Sequence, residues 1–471
     1  MGQAEKVEIF EHVLDDLPVR DEEERLNPEF IAAVEQAITD NSAERLKELA
    51  GNLHEADTGD LIEALEEEER APFVRLLGEE FDYTALTETD EGIRLKLLEE
   101  LSNEDIAEGL GELDSDDVVY ILEDLDEVDQ AEILGEMPYA DRAQLQKALD
   151  YPEDSAGRRM QSEFIAVAPF WTVGQTIDYM REARDLPDSF YQIYVVDPAF
   201  KLLGSVHLDK ILRTKRQEKV TSIMEETRQS VLATEDQEEV ARRFERYNLV
   251  SAAVVDENER LVGVLTVDDI VDVIQEEAEE DLRALAGVGD EEISDSVLTI
   301  ARSRLTWLVV NLGTAVLASV VIALFEDTIE AMVALAVLMP IVASMGGNAG
   351  TQTMTVAVRG LATQELGARN MMRILNREVI VSLLNGVALA VLIGLTAWLW
   401  FQSAGLGIVI AAAIIINMLF AGLSGLLIPI ALDKLKVDPA IASSVFVTTV
   451  TDVVGFFAFL GIAAFWFGLP L

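Results

Sequence analysis

The side chains in this sequence that could do chemistry are carboxylates. Asp452 lies in the apolar segment SSVFVTTVTDVVGFFAF and is the ionisable residue placed well inside a predicted membrane span. A charge in lipid is costly, and such residues usually face a partner or a water-filled path. Because no predicted span offers a Lys, Arg or His in its interior, we expect Asp452 to line a wet pathway for a cation. A neutral, protonated Asp452 is the alternative.

A second motif, PIVASMGGNAGTQT at 340–353, lies in another predicted span. Proline and clustered glycines are expected to interrupt the helix and free carbonyls, which must then face water or protein. Tight helix packing through small residues is the alternative. The positions concerned are Pro340, Gly346, Gly347 and Gly350, with polar groups from Asn348, Thr351, Gln352 and Thr353.

The segment DDIVDVIQEEAEEDLRALAGV at 268–288 is predicted to be a helix joining the two halves of the chain. Its apolar stripe is expected to be Ile270, Ile274, Ala278, Leu282 and Leu285. Like charges four residues apart destabilise a helix, so a bound cation would stabilise this one. A solvated acidic linker is the alternative. The acids of the adjacent face are Asp269, Asp272, Glu276 and Glu280, with Glu277 and Asp281 beside them.

Five apolar stretches, at about 305–325, 331–357, 379–401, 407–431 and 440–468, are long enough to cross a membrane. Lys and Arg occur before the first stretch and in alternate loops, whereas EDTIE, QSAGL and FGLPL carry none. This distribution predicts a cytoplasmic N-terminus and an external C-terminus.

Two repeats precede the membrane half. The blocks LSNED, LDSDD, LDEVD and MPYAD begin at 101, 113, 125 and 137, which predicts a superhelical array of short capped helices. YVVDPAFKLLGSVHLDKI at 194–211 aligns with AVVDENERLVGVLTVDDI at 253–270, each copy indicating strand, turn, strand and helix. The two copies resemble the tandem CBS (cystathionine-β-synthase) module.

The net charge of −51 lies entirely within residues 1–301, because the acids and bases after them balance. Such a surface repels nucleic acid, and it fits either solubility in salt or divalent cation sites. There are no cysteines, so disulfides and thiolate sites are excluded. We expect no signal peptide. We also expect no enzyme, since His12, His54 and His207 are scattered and no nucleophile–base group is recognisable.

The ordered set of motifs resembles the MgtE family of magnesium channels: YPEDSAGRRM at 151–160, the spacing from Pro340 to Asn348, and TTVTDVVGF around Asp452. The resemblance implies a multidomain membrane protein. Its expected parts are an α-helical superhelical domain at 1–150, tandem α/β CBS domains at 151–267, an acidic plug helix at 268–300 and a five-helix transmembrane domain at 301–471.

The resemblance also implies functional residues. Asp452 matches the ion-binding acid of the pore, where Pro340, Gly347 and Asn348 are further lining candidates. In the N-terminal domain the resemblance does not identify the sensing acids residue by residue. Asp116 and Asp117 are the candidates for that role there. Asn248 stands where an acidic sensing residue is expected, which predicts a weakened regulatory site there. The matching sensing acids are Asp269, Asp272, Glu277, Glu280 and Asp281, with Asp236 and Glu238 in the second CBS copy.

The implied protein is a homodimeric channel of the bacterial cytoplasmic membrane that admits Mg²⁺ and is closed by cytosolic Mg²⁺. Whether ATP binds the CBS pair stays open, as does selectivity among Mg²⁺, Co²⁺, Mn²⁺ and Ni²⁺. Two further hypotheses are an ion-coupled secondary transporter that protonates Asp452, and a nucleotide sensor with a membrane anchor.

Overall fold

The first part of the chain folds into short helices that pack around one apolar core. The computed structural model describes residues 17–183, 186–187, 189–225, 229–286, 288, 297–367 and 370–470. Buried Phe30, Phe73, Leu97 and Ile121 belong to this core. The α-helices are Pro28–Thr39, Ala43–Ala50, Glu55–Ala64, Glu67–Leu77, Glu91–Glu100, Asn103–Leu110, Ser115–Glu123, Glu127–Glu136 and Tyr139–Leu149, with 3₁₀ turns at Gly78–Glu80 and Tyr83–Leu86.

The twelve-residue repeat corresponds to the last four of these helices. Ser102 Oγ accepts a hydrogen bond from the Asp105 amide at 3.2 Å, and Asp126 caps its helix in the same way. Asp114 precedes Ser115–Glu123 without such a cap bond. Pro138 occupies the N-cap position, one residue before the helical turn expected for it. The repeat prediction is therefore confirmed as a run of short helices.

Two three-stranded sheets follow, one for each predicted CBS copy. In each, a short parallel strand lies beside an antiparallel hairpin, so the orders are β1-β2-β3 and β4-β5-β6. The strands are β1 (Ala166–Val167), β2 (Gln192–Val196), β3 (Leu202–His207), β4 (Val231–Leu232), β5 (Ser251–Val255) and β6 (Leu261–Thr266). The helices are Val173–Glu182, Leu208–Arg213 and Gln237–Tyr247, with a 3₁₀ turn at Val220–Ser222.

The two hairpin turns bond to each other. The Leu202 amide donates to the Glu259 carbonyl at 3.1 Å, and the Leu261 amide donates to the Phe200 carbonyl at 2.9 Å. Phe200 and Glu259 both adopt left-handed backbone, with φ of 64° and 61°. They are equivalent positions of the two copies, so the sequence repeat is also a repeat of backbone geometry.

The predicted connecting helix runs from Val267 to Ala286. The chain divides into two compact units, Met1–Gln275 and Glu276–Leu471, and this helix contributes residues to both. The expected apolar stripe is only partly right: Ile270 is buried, but Ile274 is 47% and Leu282 is 69% exposed. The buried face continues through Val273 because Ile270 and Val273, three residues apart, both pack on the second CBS core.

The second unit contains the five expected membrane-length helices. The fourth span is the most buried and contacts the second, third and fifth, so it forms the centre of the bundle. The first span is almost entirely exposed within the chain. The helices are Val297–Ala323, Glu326–Ala331, Ala334–Ala362, Met371–Phe401, Ala404–Lys434 and Pro439–Phe467, of which all but the short Glu326–Ala331 are the five spans in order.

The second span corrects one prediction. It is a continuous α-helix with Pro340 inside it, so the expected interruption does not occur. The glycines instead permit close packing: a Cβ at Gly346 would lie 2.2 Å from Asn417 Nδ2, and one at Gly350 would lie 2.5 Å from Val447. The small-residue alternative is therefore correct for these two positions.

Candidate functional site

Carboxylates from the repeat domain and the connecting helix meet within the first unit. Asp116 and Asp117 lie in the first turn of Ser115–Glu123, while Asp269 lies in the first turn of the connecting helix. Thr266 donates to the Asp269 carboxylate from its amide at 3.3 Å and also from its hydroxyl, so Asp269 is held at the helix start. We call Asp116, Asp117 and Asp269 the acid cluster.

The pKa values of the acid cluster show that these carboxylates repel one another. Burial, followed by the charges of Asp269 and Asp114, raises the pKa of Asp117 to about 7. Burial also raises the pKa of Asp116 well above its usual range, and the charge of Asp269 adds to this shift. The pKa of Asp269 is raised by burial as well. Acids that resist ionisation next to one another are stabilised by any cation that neutralises them.

Asp272 continues the acidic surface one turn along the connecting helix. Burial and the charges of Glu88 and Asp268 raise the pKa of Asp272, while the positive charge of Arg159 opposes that rise. Glu88 belongs to the N-terminal helical domain, just before the twelve-residue repeat, and Asp268 belongs to the connecting helix. The two elements therefore face each other with negative charge on both sides.

A second pairing lies in the second unit. Burial and the charge of Asp438 raise the pKa of Asp281, so the two carboxylates lie close together. Asp438 caps the fifth span, where its Oδ1 accepts from the Ala440 amide at 2.7 Å. Sequence reasoning did not single out Asp438. Its signal was the Asp-Pro start of the last span, which fixes that carboxylate at the helix entrance.

The other predicted acids of the connecting helix are less informative. Glu277 is half-buried and Glu280 is exposed, and both have polar partners. Among the described residues, no three Asp, Glu or His side chains converge as a ready-made metal cage. Mg²⁺ usually keeps several waters and binds one or two carboxylates directly, so paired acids suit it better than a closed cage.

The predicted acids of the second CBS copy have structural roles. Asp236 is the N-cap of Gln237–Tyr247, accepting from the Glu238 amide at 3.0 Å, and Glu238 Oε1 accepts from Arg242 at 3.1 Å. The backbone conformation explains why asparagine stands at position 248, where an acidic residue was expected. This residue ends the same helix in left-handed conformation, φ 50° and ψ 50°, which asparagine tolerates better than most residues.

The membrane acid, Asp452, is half-buried in the fifth span. Its depth follows from two contacts between the antiparallel second and fifth spans. Gly350 faces Val447 and Thr451, and Gly346 and Gly455 both face the side chain of Asn417. Asn348 lies between the two glycines of its span, and Asp452 lies between the corresponding contacts of the fifth. The two polar residues are therefore at a similar depth.

The pore-lining candidates share one face of the second span. Pro340 and Asn348 are exposed within this chain and Gly347 is half-exposed, whereas Gly346 and Gly350 are buried. A Cβ built at Gly347 meets no atom within 4 Å. This open face is available to a pore, to lipid or to a second subunit.

Asn417 was missed by sequence reasoning. Its side chain is fully buried, and its Nδ2 donates to the Val342 carbonyl at 2.8 Å between the second and fourth spans. Because it also lies against Gly346 and Gly455, it fixes the spacing of three spans beside Asp452. An asparagine in the middle of an apolar run was the available signal.

A small, partly open cavity lies between the CBS strands. The hydroxyl-bearing residues Tyr194 and Ser251 are nearly fully buried in its wall, and Thr266 and Glu163 also line it. Glu163 accepts from Ser115 Oγ at 2.7 Å and from Gln144 at 3.0 Å, so one wall residue also holds the repeat domain.

Comparisons with known proteins agree with both units. Residues 339–462 match the MgtE family, described as divalent cation transporter; 53–154 match the MgtE intracellular N domain, and 220–276 match a CBS domain. The magnesium transporter MgtE of Bacillus subtilis is 37% identical over 319 residues, 68% of this chain and 71% of that protein. The protein of the same name from Thermus thermophilus is 36% identical over 318 residues, 66% of this chain and 70% of that protein.

Among solved structures, the cytosolic domain of the Mg²⁺ channel MgtE in complex with ATP has a TM-score of 0.48. It is 29% identical and covers 52% of this chain and 99% of its own.

Proposed function

Because the chain belongs to the MgtE family of divalent cation transporters, we propose that it is a magnesium channel of the cytoplasmic membrane that closes when cytosolic Mg²⁺ is plentiful. The observation that carries this proposal is the meeting of Asp116, Asp117 and Asp269 from two separate elements. A chain with five membrane-length helices has no structural need for such a costly arrangement, whereas a cation sensor does.

Permeation is assigned to the fifth and second spans. Mg²⁺ gives up its waters reluctantly, so a pore can pass the hydrated ion if carboxylate and amide groups contact those waters. Asp452 and Asn348 lie at a similar depth and supply a carboxylate and an amide. In a homodimer, which we propose as the working assembly, the open face of the second span from both subunits would line the path. We place the N-terminus in the cytoplasm and the C-terminus outside.

Closure is assigned to the acidic surfaces. Ions that bind between the repeat domain and the connecting helix stabilise the arrangement in which these acids are close together. The Asp281–Asp438 pair would respond in the same way in the second unit. Glu277 and Glu280 lie on the same helix and are proposed to assist, whereas Asp236 and Glu238 would have to leave their cap and ion pair to do so.

We propose a nucleotide such as ATP as the ligand of the CBS cavity. The cavity is apolar with a few buried hydroxyls, which suits a base and a ribose. ATP that stabilises the purified protein against heat, with loss of the effect in Tyr194→Ala, would support this assignment. No stabilisation at millimolar ATP would contradict it.

The main test is electrical recording of the protein in lipid bilayers. We expect Mg²⁺ currents that fall as Mg²⁺ is raised on the cytoplasmic side, and a Glu277→Gln, Glu280→Gln, Asp281→Asn variant that stays open. Normal closure of that variant would contradict the sensing role. Uptake that restores growth of a magnesium-requiring strain would test the transport itself.

An ion-coupled secondary transporter is the second candidate. In the part of the chain that the structure describes, no ion pair involves Asp452, so this acid could take up a proton during a transport cycle. Proton-coupled flux limited to carrier rates, without single-channel currents, would favour this candidate over the channel.

A further inference from the structure

Arg159 lies where three elements of the first unit meet. Its Nη1 donates to Glu123 Oε1 at 3.0 Å, at the end of a repeat helix, and its Nε donates to Gln237 Oε1 at 3.1 Å, at the start of a CBS helix. The Arg159 side chain is only 16% exposed. Its charge also acts on Asp272 of the connecting helix. A guanidinium is thus fixed beside an acidic surface that we have assigned to cation sensing.

A stacked aromatic ring holds this guanidinium in place. The Arg159 guanidinium carbon lies 5.3 Å from the centroid of the Tyr120 ring, and that of Arg94 lies 4.8 Å from the same centroid. Arg94 is 3% exposed, pairs with Asp124 and donates to the Leu86 and Thr89 carbonyls. Because Arg94 is locked on one side of the ring, Tyr120 offers Arg159 a rigid surface.

We propose that Arg159 is a tethered counter-ion of the acidic surface and sets the Mg²⁺ concentration at which the sensor fills. The inference rests on the sensing function proposed above. A fixed positive charge lowers the negative potential that attracts a divalent ion, so it weakens binding without occupying an ion site.

The alternative is that Arg159 only joins the repeat domain to the CBS pair. The two roles predict opposite changes in Mg²⁺ affinity when Arg159 is replaced. Loss of a purely structural contact loosens the acid cluster and weakens Mg²⁺ binding, whereas loss of a counter-ion strengthens it. Arg159→Gln removes the charge and keeps amide hydrogen bonding. Arg159→Lys keeps the charge and changes the geometry.

The experiment is a calorimetric Mg²⁺ titration of the full-length protein in detergent. We expect Arg159→Gln to lower the half-saturating Mg²⁺ concentration about three- to tenfold. Arg159→Lys should stay within about twofold of wild type, because its charge is retained. The matched control is Arg216→Gln, which removes an equal charge from the Asp178 ion pair of the first CBS copy and should also stay within about twofold.

A double variant keeps the test decisive if Arg159→Gln folds poorly. Glu123→Gln with Arg159→Gln restores the net charge, so its half-saturating concentration should return toward the wild-type value. An unchanged or higher concentration in a folded Arg159→Gln protein would overturn the counter-ion role. Sensing would still stand if wild type binds Mg²⁺ saturably and Asp117→Asn weakens that binding. Absence of saturable binding to wild type would overturn both.

Discussion

The first unit and the membrane-spanning second unit place carboxylates in contrasting surroundings. Asp116, Asp117 and Asp269 crowd one another and have raised pKa values, so they are unfavourable together until a cation or a proton arrives. Asp452 is the one ionisable residue between 443 and 467, and small side chains and an amide group surround its level of the bundle. A crowded cluster suits a sensor, because its geometry depends on occupancy. An isolated acid in a rigid bundle suits passage, because the ion must also leave.

The largest expected effect would test the membrane side of this contrast. Asp452→Asn should lower Mg²⁺ flux in proteoliposomes at least about a hundredfold, since the charge that attracts the ion in lipid is lost. Glu330→Gln, in the predicted external loop, is the matched control and should transport normally. Wild-type flux in Asp452→Asn would remove the membrane acid from the comparison.

The second-largest expected effect concerns helix packing beside Asp452. Gly346→Ala places a methyl group against Asn417 and should destabilise the bundle by about 2 kcal/mol. The neighbouring Gly347→Ala meets open space and should be neutral in the same thermal unfolding assay. Equal melting temperatures for the two variants would show that the bundle is not rigid at this level.

The paired acids of the second unit should matter less for flux and more for closure. Asp281→Asn combined with Asp438→Asn should raise the Mg²⁺ concentration needed for half-closure about tenfold, because ion ligands are lost. Single-channel recording measures this directly, with open-channel conductance as the internal control. A changed conductance with unchanged closure would assign the pair to the pore instead.

The acid cluster should respond to pH. Raising the pH from 6 to 8 ionises Asp117, whose pKa is about 7, so half-saturating Mg²⁺ should fall about fivefold. Without divalent ions, the free energy of unfolding decreases over the same rise in pH, whereas Mg²⁺ binding becomes stronger. Between about pH 4 and pH 7 the folded Asp117 keeps a proton that the unfolded chain has lost, so the free energy of unfolding falls by roughly 4 kcal/mol as pH rises. Asp117→Asn should flatten both profiles, and retention of either in that variant would contradict the assignment.

The smallest effect concerns the departure at Asn248. Asn248→Gly should stabilise the second CBS copy by about 0.5 kcal/mol, because glycine adopts left-handed backbone more easily. Mg²⁺ binding should not change. An altered Mg²⁺ titration would show that Asn248 belongs to the sensing surface after all.

The architecture was predictable from sequence because its signals are local. Apolar length predicted the five spans, and two alternating copies predicted the CBS sheets. Asp438 and Asn417 were missed because their roles depend on which residues lie opposite them, which no single-segment pattern contains. The continuous second span was missed because proline and glycine are tolerated in a membrane helix when neighbouring helices pack against it. The predicted roles of all the site residues, from Asp452 in the fifth span to Asp269 and Glu277 in the connecting helix, stay predictions.

The matched turns at Phe200 and Glu259 preserve a trace of the protein's history. A bulky aromatic and a charged residue have little in common except their place, yet both hold the same unfavourable backbone. Duplication of one ancestral half would account for two turns that bond to each other through equivalent residues. The side chains at the two turns differ, whereas their left-handed backbone conformation is the same. Each copy therefore serves as an internal reference for the backbone of the other.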